Sequence, residues 1–289
     1  MLNFQRILFP VDLSKQCQEA APFVKAAAAR FGAEVTLLHV MEIPAYWYGT
    51  MGAESFAAVV DLPSLMASRK QQFDEFLKND FGSVKVERVM EQGDPAWTIA
   101  DYAKSRHADL VMMPTHGHGP FRSLLLGSVT AKVLHDVKCP VWTGAHAEKQ
   151  ASHPDEIRSM LCALELSDES GPLLKWAAEL AARYGATLRL VHAVAGGDIP
   201  AEQYFDTELD GFLMKMAGEE IAKLQASAGT DFEVCLAKGD VAGVMRETAL
   251  THNADLIVIG RGLAQRVLGR FRTQAYAIIR EAPCPVISV

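Results

Sequence analysis

Ile7-Leu8-Phe9-Pro10-Val11-Asp12-Leu13-Ser14 returns 153 residues later as Met160-Leu161-Cys162-Ala163-Leu164-Glu165-Leu166-Ser167. In both stretches an apolar run, suited to a strand buried on both faces, ends in an acidic residue. A serine able to cap a helix follows. Phe31-Gly32-Ala33-Glu34-Val35-Thr36-Leu37-Leu38-His39 returns at the same offset as Tyr184-Gly185-Ala186-Thr187-Leu188-Arg189-Leu190-Val191-His192. Gly93-Asp94 and Ala108-Asp109-Leu110-Val111 return 146 residues on, as Gly239-Asp240 and Ala254-Asp255-Leu256-Ile257. Cys139-Pro140-Val141 returns after 145, as Cys284-Pro285-Val286. Five anchors in one order imply duplication of a whole domain, at a period far too long for a solenoid. The drifting offset places the length changes in the second-helix region and in the loop after the fourth strand.

Each copy alternates strand and helix. In the first, the pattern predicts strands over 6–11, 34–40, 84–90, 109–113 and 140–143. Between them it predicts an Ala-rich helix from Ser14 to Arg30 that stops near Gly32, and helices over 62–78, 96–105 and 128–134. Leu65, Phe73, Phe76 and Leu77 fall on one side of the second helix. The other copy repeats the series from 159–164 to 285–289. Such alternation implies parallel strands with right-handed crossovers. The expected architecture is two tandem doubly wound α/β domains, 1–147 and 155–289, each a five-stranded parallel sheet flanked by helices. The polar stretch 145–156, which carries Pro154, is the expected boundary.

Composition narrows the function. A chain of 289 residues has room for about two domains, each burying its own core. With 49% hydrophobic and 22% charged residues, wholesale disorder and coiled coil are excluded. No uncharged apolar stretch approaches the ~20 residues of a membrane span. The first residues run directly into a strand without the regions of a signal peptide, and the scattered, odd-numbered cysteines make a reduced, cytoplasmic setting the expectation. The net charge of −7 argues against nucleic-acid binding, which needs a basic face. It is unevenly shared: −1 over 1–147 and −6 over 148–289. Cys17, Cys139, Cys162, Cys235 and Cys284 are scattered, with no C-x-x-C, so their spacing indicates no metal site. His116-x-His118 lacks further ligands of matching spacing.

In an open parallel sheet, ligands bind beyond the carboxyl ends of the strands, where strand order reverses. Two segments of the first copy end strands there. One is Pro10-Val11-Asp12; the other is Pro114-Thr115-His116-Gly117-His118-Gly119, which continues to Gly127-Ser128-Val129-Thr130 at a helix start. Small residues let backbone N–H groups approach an anion, Ser128 adds a hydroxyl, and a helix N-terminus favours negative charge. That combination suits a phosphate chain. Asp12 repels phosphate, so its partner would be an adenine amino group, a ribose hydroxyl or a phosphate-bound Mg²⁺. The bland alternatives are tight turns in a surface loop for the glycines and a helix cap for Asp12.

On these residues the chain resembles a tandem universal stress protein. That family is built on a Rossmann-like adenine-nucleotide-binding domain with the signature G-x2-G-x9-G-[ST] after a strand that ends in Asp. The first copy reads Pro114-x2-Gly117-x9-Gly127-Ser128. The resemblance covers essentially the whole chain. It implies that Pro10, Val11 and Asp12 border adenine or ribose and that Val40 lines the adenine pocket. Gly117, Gly127, Ser128, Val129 and Thr130 would hold ribose and phosphates. The implied ligand is ATP or a related adenine nucleotide, with Mg²⁺ on its phosphates, serving as a switch or sensor in a stress response. The family also implies an intramolecular pseudo-dimer through the final strands, which leaves room for further homodimerisation.

Pro114 departs from the signature: it has no N–H, and the missing bond is worth roughly 0.5–1.5 kcal/mol if the family uses it. The second copy departs further. Gly260 survives, Leu263 stands where the second glycine would be, Glu165 replaces Asp12, and Arg272-Thr273 replaces Gly127-Ser128. That half is expected not to bind the nucleotide, or to bind something else. Its Arg261, Arg266, Arg270 and Arg272 leave a rival reading open: a nucleotide-free interaction protein whose partner is another protein or an anionic ligand. Catalysis has little support. There is no G-x-S-x-G, H-E-x-x-H or Walker loop, and no general base stands out for a water, so at most slow ATP hydrolysis is expected. Tyr46-Trp47-Tyr48 and Arg122 are candidate ligand-covering and phosphate-reaching side chains.

Overall fold

In the computed structural model, residues 2–42, 61–117, 126–144, 156–194, 206–261 and 270–289 are described. Tyr46-Trp47-Tyr48, His118, Gly119, Arg122, most of the 145–156 linker, Leu263, Arg266 and the side chains of Arg270 and Arg272 lie outside them. The chain divides into two compact units, one made of Asn3–Arg122 with Gly127–Val141, the other centred on Trp142–Val289.

The amino-terminal repeat contains strands β1 (Arg6–Pro10), β2 (Glu34–Met41), β3 (Val86–Gln92), β4 (Leu110–Met113) and β5 (Val141–Thr143). Their spatial order is β3-β2-β1-β4-β5. β1 pairs in parallel with β2 and β4, and β2 pairs in parallel with β3. Helices α1 (Lys15–Phe31), α2 (Leu62–Glu75), α3 (Pro95–Ser105) and α4 (Ser128–Asp136) form the crossovers. The carboxy-terminal repeat has β6 (Ser159–Ala163), β7 (Thr187–Val194), β8 (Glu233–Lys238), β9 (Leu256–Ile259) and β10 (Val286–Ser288), in the order β10-β9-β6-β7-β8. Its helices are α5 (Ser170–Tyr184), α6 (Asp206–Ala228), α7 (Val241–Thr251) and α8 (Arg270–Glu281). The expected doubly wound α/β class is therefore observed in both repeats.

Central strands read as unbroken apolar runs because both their faces are covered. Ile7, Leu8 and Phe9 on β1 and all of β4 are buried, and each large apolar side chain so placed contributes about 1.5–3 kcal/mol. α1 begins where the Ser14 hydroxyl accepts the Cys17 N–H and ends at Gly32 in the left-handed region.

The repeat anchors are turn and clamp chemistry. Gly93 and Gly239 sit at φ +146° and +148°, which side chains rarely adopt. The aspartate after each caps the next helix, Asp94 accepting from Trp97 N–H at 2.8 Å and Asp240 from Gly243 N–H at 2.9 Å. Asp109 Oδ2 accepts the N–H groups of Gln5 and Arg6, both at 2.9 Å. Asp255 does the same for Arg158 and Ser159 at 2.8 and 2.9 Å.

α2 differs from expectation. It stops at Glu75 rather than 78, and Leu77 takes φ +54°. Phe73, Phe76 and Leu77 are buried, but Leu65 is 42% exposed. The burying face of this segment starts at Phe73, one turn from its end, so Leu65 is not part of the apolar side that its spacing suggests.

Candidate functional site

Strand order reverses between β1 and β4, and the crevice at their carboxyl ends is where the fold leaves room for a ligand. Beyond β1 the chain stays extended long enough for Val11 N–H to reach the Leu38 carbonyl of β2 at 2.9 Å. Asp12 follows, then Leu13 at φ +66°. A leucine in the left-handed region is strained by roughly 1–3 kcal/mol, and such strain gathers at functional sites. Leu166 repeats it at φ +56°. The turn aims the Asp12 carboxylate back over the start of α1. Its Oδ1 accepts the Ser14 N–H at 3.0 Å and the Cys17 thiol at 3.2 Å.

The loop after β4 folds against this carboxylate. A Cβ on Gly117 would lie 2.0 Å from Asp12 Oδ2, so only glycine leaves the aspartate where it is. Gly127 closes the loop: its N–H donates to the Thr115 carbonyl at 2.9 Å, and it is the N-cap of α4. A Cβ there would meet Thr115 O at 3.2 Å and His116 Cα at 3.3 Å. The buried Thr130 hydroxyl donates to the Pro114 carbonyl at 3.2 Å, which ties the first turn of α4 to the end of β4. Ser128 is exposed at the first helical position and Val129 is half-buried.

Of the residues expected at the site, the structure brings Asp12, Gly117, Gly127 and Thr130 into one cluster, with Ser128 and Val129 at its helical edge. Pro10 and Val11 are buried beneath it. Val40, half-buried on β2, lies two residues beyond the carbonyl that holds Val11. Pro114 contributes its carbonyl to the loop.

Cys17 and Thr115 escaped the sequence reading. Cys17 sits in the first turn of a helix capped by Ser14, a position that faces the residue two before the cap. Burial, then the charge of Asp12, pushes its thiol up to about 12, so it serves Asp12 as a neutral donor. Thr115 is buried beside the loop, its Oγ1 3.1 Å from His116 Nδ1. His39 and His192 share the structural bond that their equivalence suggests: Nδ1–H donates to Val11 O at 2.8 Å in one and to Leu164 O at 2.7 Å in the other. Burial holds the His39 imidazole below its ordinary value, and its Nε2 has no partner among the described residues.

The second repeat builds a different end to the same sheet. Glu165 stands at the Asp12 position, and partial burial raises its carboxyl above the ordinary value. α8 begins at Arg270, so Arg272-Thr273 lie inside the helix rather than at its entrance.

A doubly wound α/β domain occurring twice in one chain, with a glycine-lined switch-point crevice in the first copy, defines the class of protein. The chain belongs to the universal stress protein family, whose family profile matches residues 3–143 and 156–289. A universal stress protein of Methanocaldococcus jannaschii is 29% identical over 138 residues, 48% of this chain and 80% of that protein. One from Thermus aquaticus is 32% identical over 139 residues, 48% of this chain and 96% of its own. A universal stress protein structure from Archaeoglobus fulgidus superposes over 100% of this chain and 97% of its own, with a TM-score of 0.64 at 22% identity, a likeness of fold.

Proposed function

We propose that the amino-terminal domain, 1–147, binds ATP or a related adenine nucleotide with Mg²⁺ on its phosphates, and that 155–289 forms a second domain without that site. The observation that carries the reading is the contact between Asp12 and Gly117: an acidic acceptor for nucleoside donors is held at the mouth of a loop that runs to the open N-terminus of α4. Asp12 would accept from the adenine amino group or a ribose hydroxyl. The first-turn N–H groups and hydroxyl of α4 would take the phosphates, and Val40 would face the base. Binding would act as a switch, favouring the conformations that the ligand contacts best. A cytoplasmic location fits this reading, and among the described residues no helix is long and apolar enough to cross a membrane. The rival reading, a nucleotide-free interaction protein, rests on Pro114, which cannot donate a backbone bond.

Calorimetric titration of ATP–Mg into the full chain and into Gly127→Asp separates the two. Aspartate is a good N-cap, but its Cβ presses on Thr115 O and His116 Cα, so a urea melt of the variant accompanies the titration to show that it is folded. The new side chain also sets a negative charge at the phosphates, and two unit charges about 4 Å apart repel by roughly 4 kcal/mol near a protein surface. Saturable binding that the variant loses supports the nucleotide switch. No binding heat and no change in melting temperature in the parent supports the rival.

A further inference from the structure

The carboxy-terminal repeat carries a second constellation, on the far half of its sheet from the switch-point crevice. Glu233 and Cys235 are two residues apart on β8 and so share a face of the sheet. His252 ends α7 beside them. Cys235 Sγ and His252 Nε2 are 3.6 Å apart, and one ligand atom from each of the three residues lies within 4.8 Å of the others. In a tetrahedral zinc site with Zn–S of about 2.3 Å and Zn–N of about 2.0–2.1 Å, the sulfur and nitrogen stand about 3.5 Å apart. The thiol and imidazole are therefore already at ligand spacing, and the carboxylate needs only a side-chain swing.

The supports of the cluster point the same way. Arg189 Nε holds Glu233 Oε2 at 2.6 Å and leaves the other oxygen for a ligand bond, the kind of outer contact that orients metal ligands. The backbone carrying His252 is fixed at both groups: its N–H donates to Thr248 O at 3.0 Å, and its carbonyl accepts the Ser159 hydroxyl at 3.0 Å. Nothing in the fold demands these residues. At the equivalent places the first repeat has Glu87, Val89, Arg106 and Thr36, so only the acidic residue is common to both.

We propose that Glu233, Cys235 and His252 bind one divalent transition-metal ion of the zinc type, with water in the fourth position. A thiolate–imidazole–carboxylate set suits zinc better than the hard cations Mg²⁺ and Ca²⁺, which take all-oxygen shells. The ion links β8 to the end of α7, so its binding stabilises the carboxy-terminal domain.

The test uses the full chain, stripped with a chelator under reducing conditions and titrated with Zn²⁺ against a chromophoric competitor. Cys235→Val and His252→Arg install the residues that the first repeat tolerates, and Cys139→Ser controls for a half-buried cysteine elsewhere. The parent and Cys139→Ser should each take one zinc per chain. Affinity should fall more than about 100-fold in the other two, since even outer-shell losses reach about 10–100-fold. On the parent and on Cys139→Ser, Co²⁺ should give a thiolate charge-transfer band that Cys235→Val lacks, and zinc should slow alkylation of Cys235 selectively. The proposal is overturned if the parent takes up no stoichiometric metal, if Cys235→Val binds as well as the parent, or if zinc leaves Cys235 alkylation unchanged. Any of these leaves the pair a thiol–imidazole hydrogen bond.

Discussion

Replacing Gly117 by alanine adds one methyl group and should uncouple ligand binding from folding. The position takes no left-handed φ, so alanine is acceptable to the backbone; the conflict is with one side chain. The new Cβ would stand 2.0 Å from Asp12 Oδ2 and 3.2 Å from its Cγ, and contacts under 3.0 Å do not persist. The carboxylate must swing away by about an ångström, and it can, being the free end of a short side chain. The bonds that Asp12 accepts from Ser14 N–H and Cys17 Sγ both end on Oδ1, so the swing strains both, at about 1 kcal/mol each. Binding loses the nucleoside bond in addition. A hydrogen bond from the nucleoside to a charged acceptor is worth about 1.5–3 kcal/mol, and each 1.4 kcal/mol is tenfold, so affinity for ATP–Mg should fall about 10- to 150-fold.

A double-mutant cycle makes the reasoning strict. Calorimetric affinities would be compared for the parent, Gly117→Ala, Asp12→Ala and the double variant, with urea melts as a check on folding. If the methyl group acts through Asp12, it should weaken binding in the parent and do almost nothing once Asp12 is gone. Equal losses in both backgrounds would show that Gly117 serves the ligand by some other route, and an unimpaired Gly117→Ala would show that Asp12 is not a nucleoside contact at all.

Other perturbations read the scaffold. Asp109→Ala removes the acceptor of the Gln5 and Arg6 N–H groups at the start of β1, and urea denaturation should show about 1–3 kcal/mol less stability; a variant as stable as the parent would mean that water replaces the clamp at no loss. His39 should give the fold an acid-sensitive step. Its folded value lies below the ordinary 6.5, so the unfolded chain takes up the proton first. The stability from the neutral imidazole is thus complete above about pH 6.5 and drains as pH falls below it. His39→Asn keeps a donor for Val11 O without a titrating group, so its stability should change less between pH 6.5 and 5.5 than the parent's; identical slopes would remove His39 from the account.

What the sequence disclosed, and what it withheld, divides by the range of the interaction. Two of the five anchors show why they persist: Gly93-Asp94 and Gly239-Asp240 pair a glycine at positive φ with a capping aspartate, and Asp109 and Asp255 clamp the amino ends of β1 and β6. Such features survive duplication, since both copies need the same turn. The buried runs of β1 and β4 are legible for the same reason, as one strand covered on both faces spells its burial in consecutive residues. Leu65 was misplaced because helical spacing records which residues share a face, and only tertiary packing decides how far along the helix that face is covered. Cys17 and Thr115 lay hidden because they act on neighbouring residues, Cys17 on Asp12 and Thr115 on His116 and Gly127, through contacts that only the folded loop creates. The cluster of Glu233, Cys235 and His252 is the extreme case, assembled from a strand and a helix end 17 residues apart. No linear spacing announces it, and the duplicated sequence tends to conceal it, since the comparison draws the eye to what the copies share. It shows only where the copies differ: Cys235 and His252 stand where the first copy has Val89 and Arg106, while Glu233 keeps the acidic side chain of Glu87.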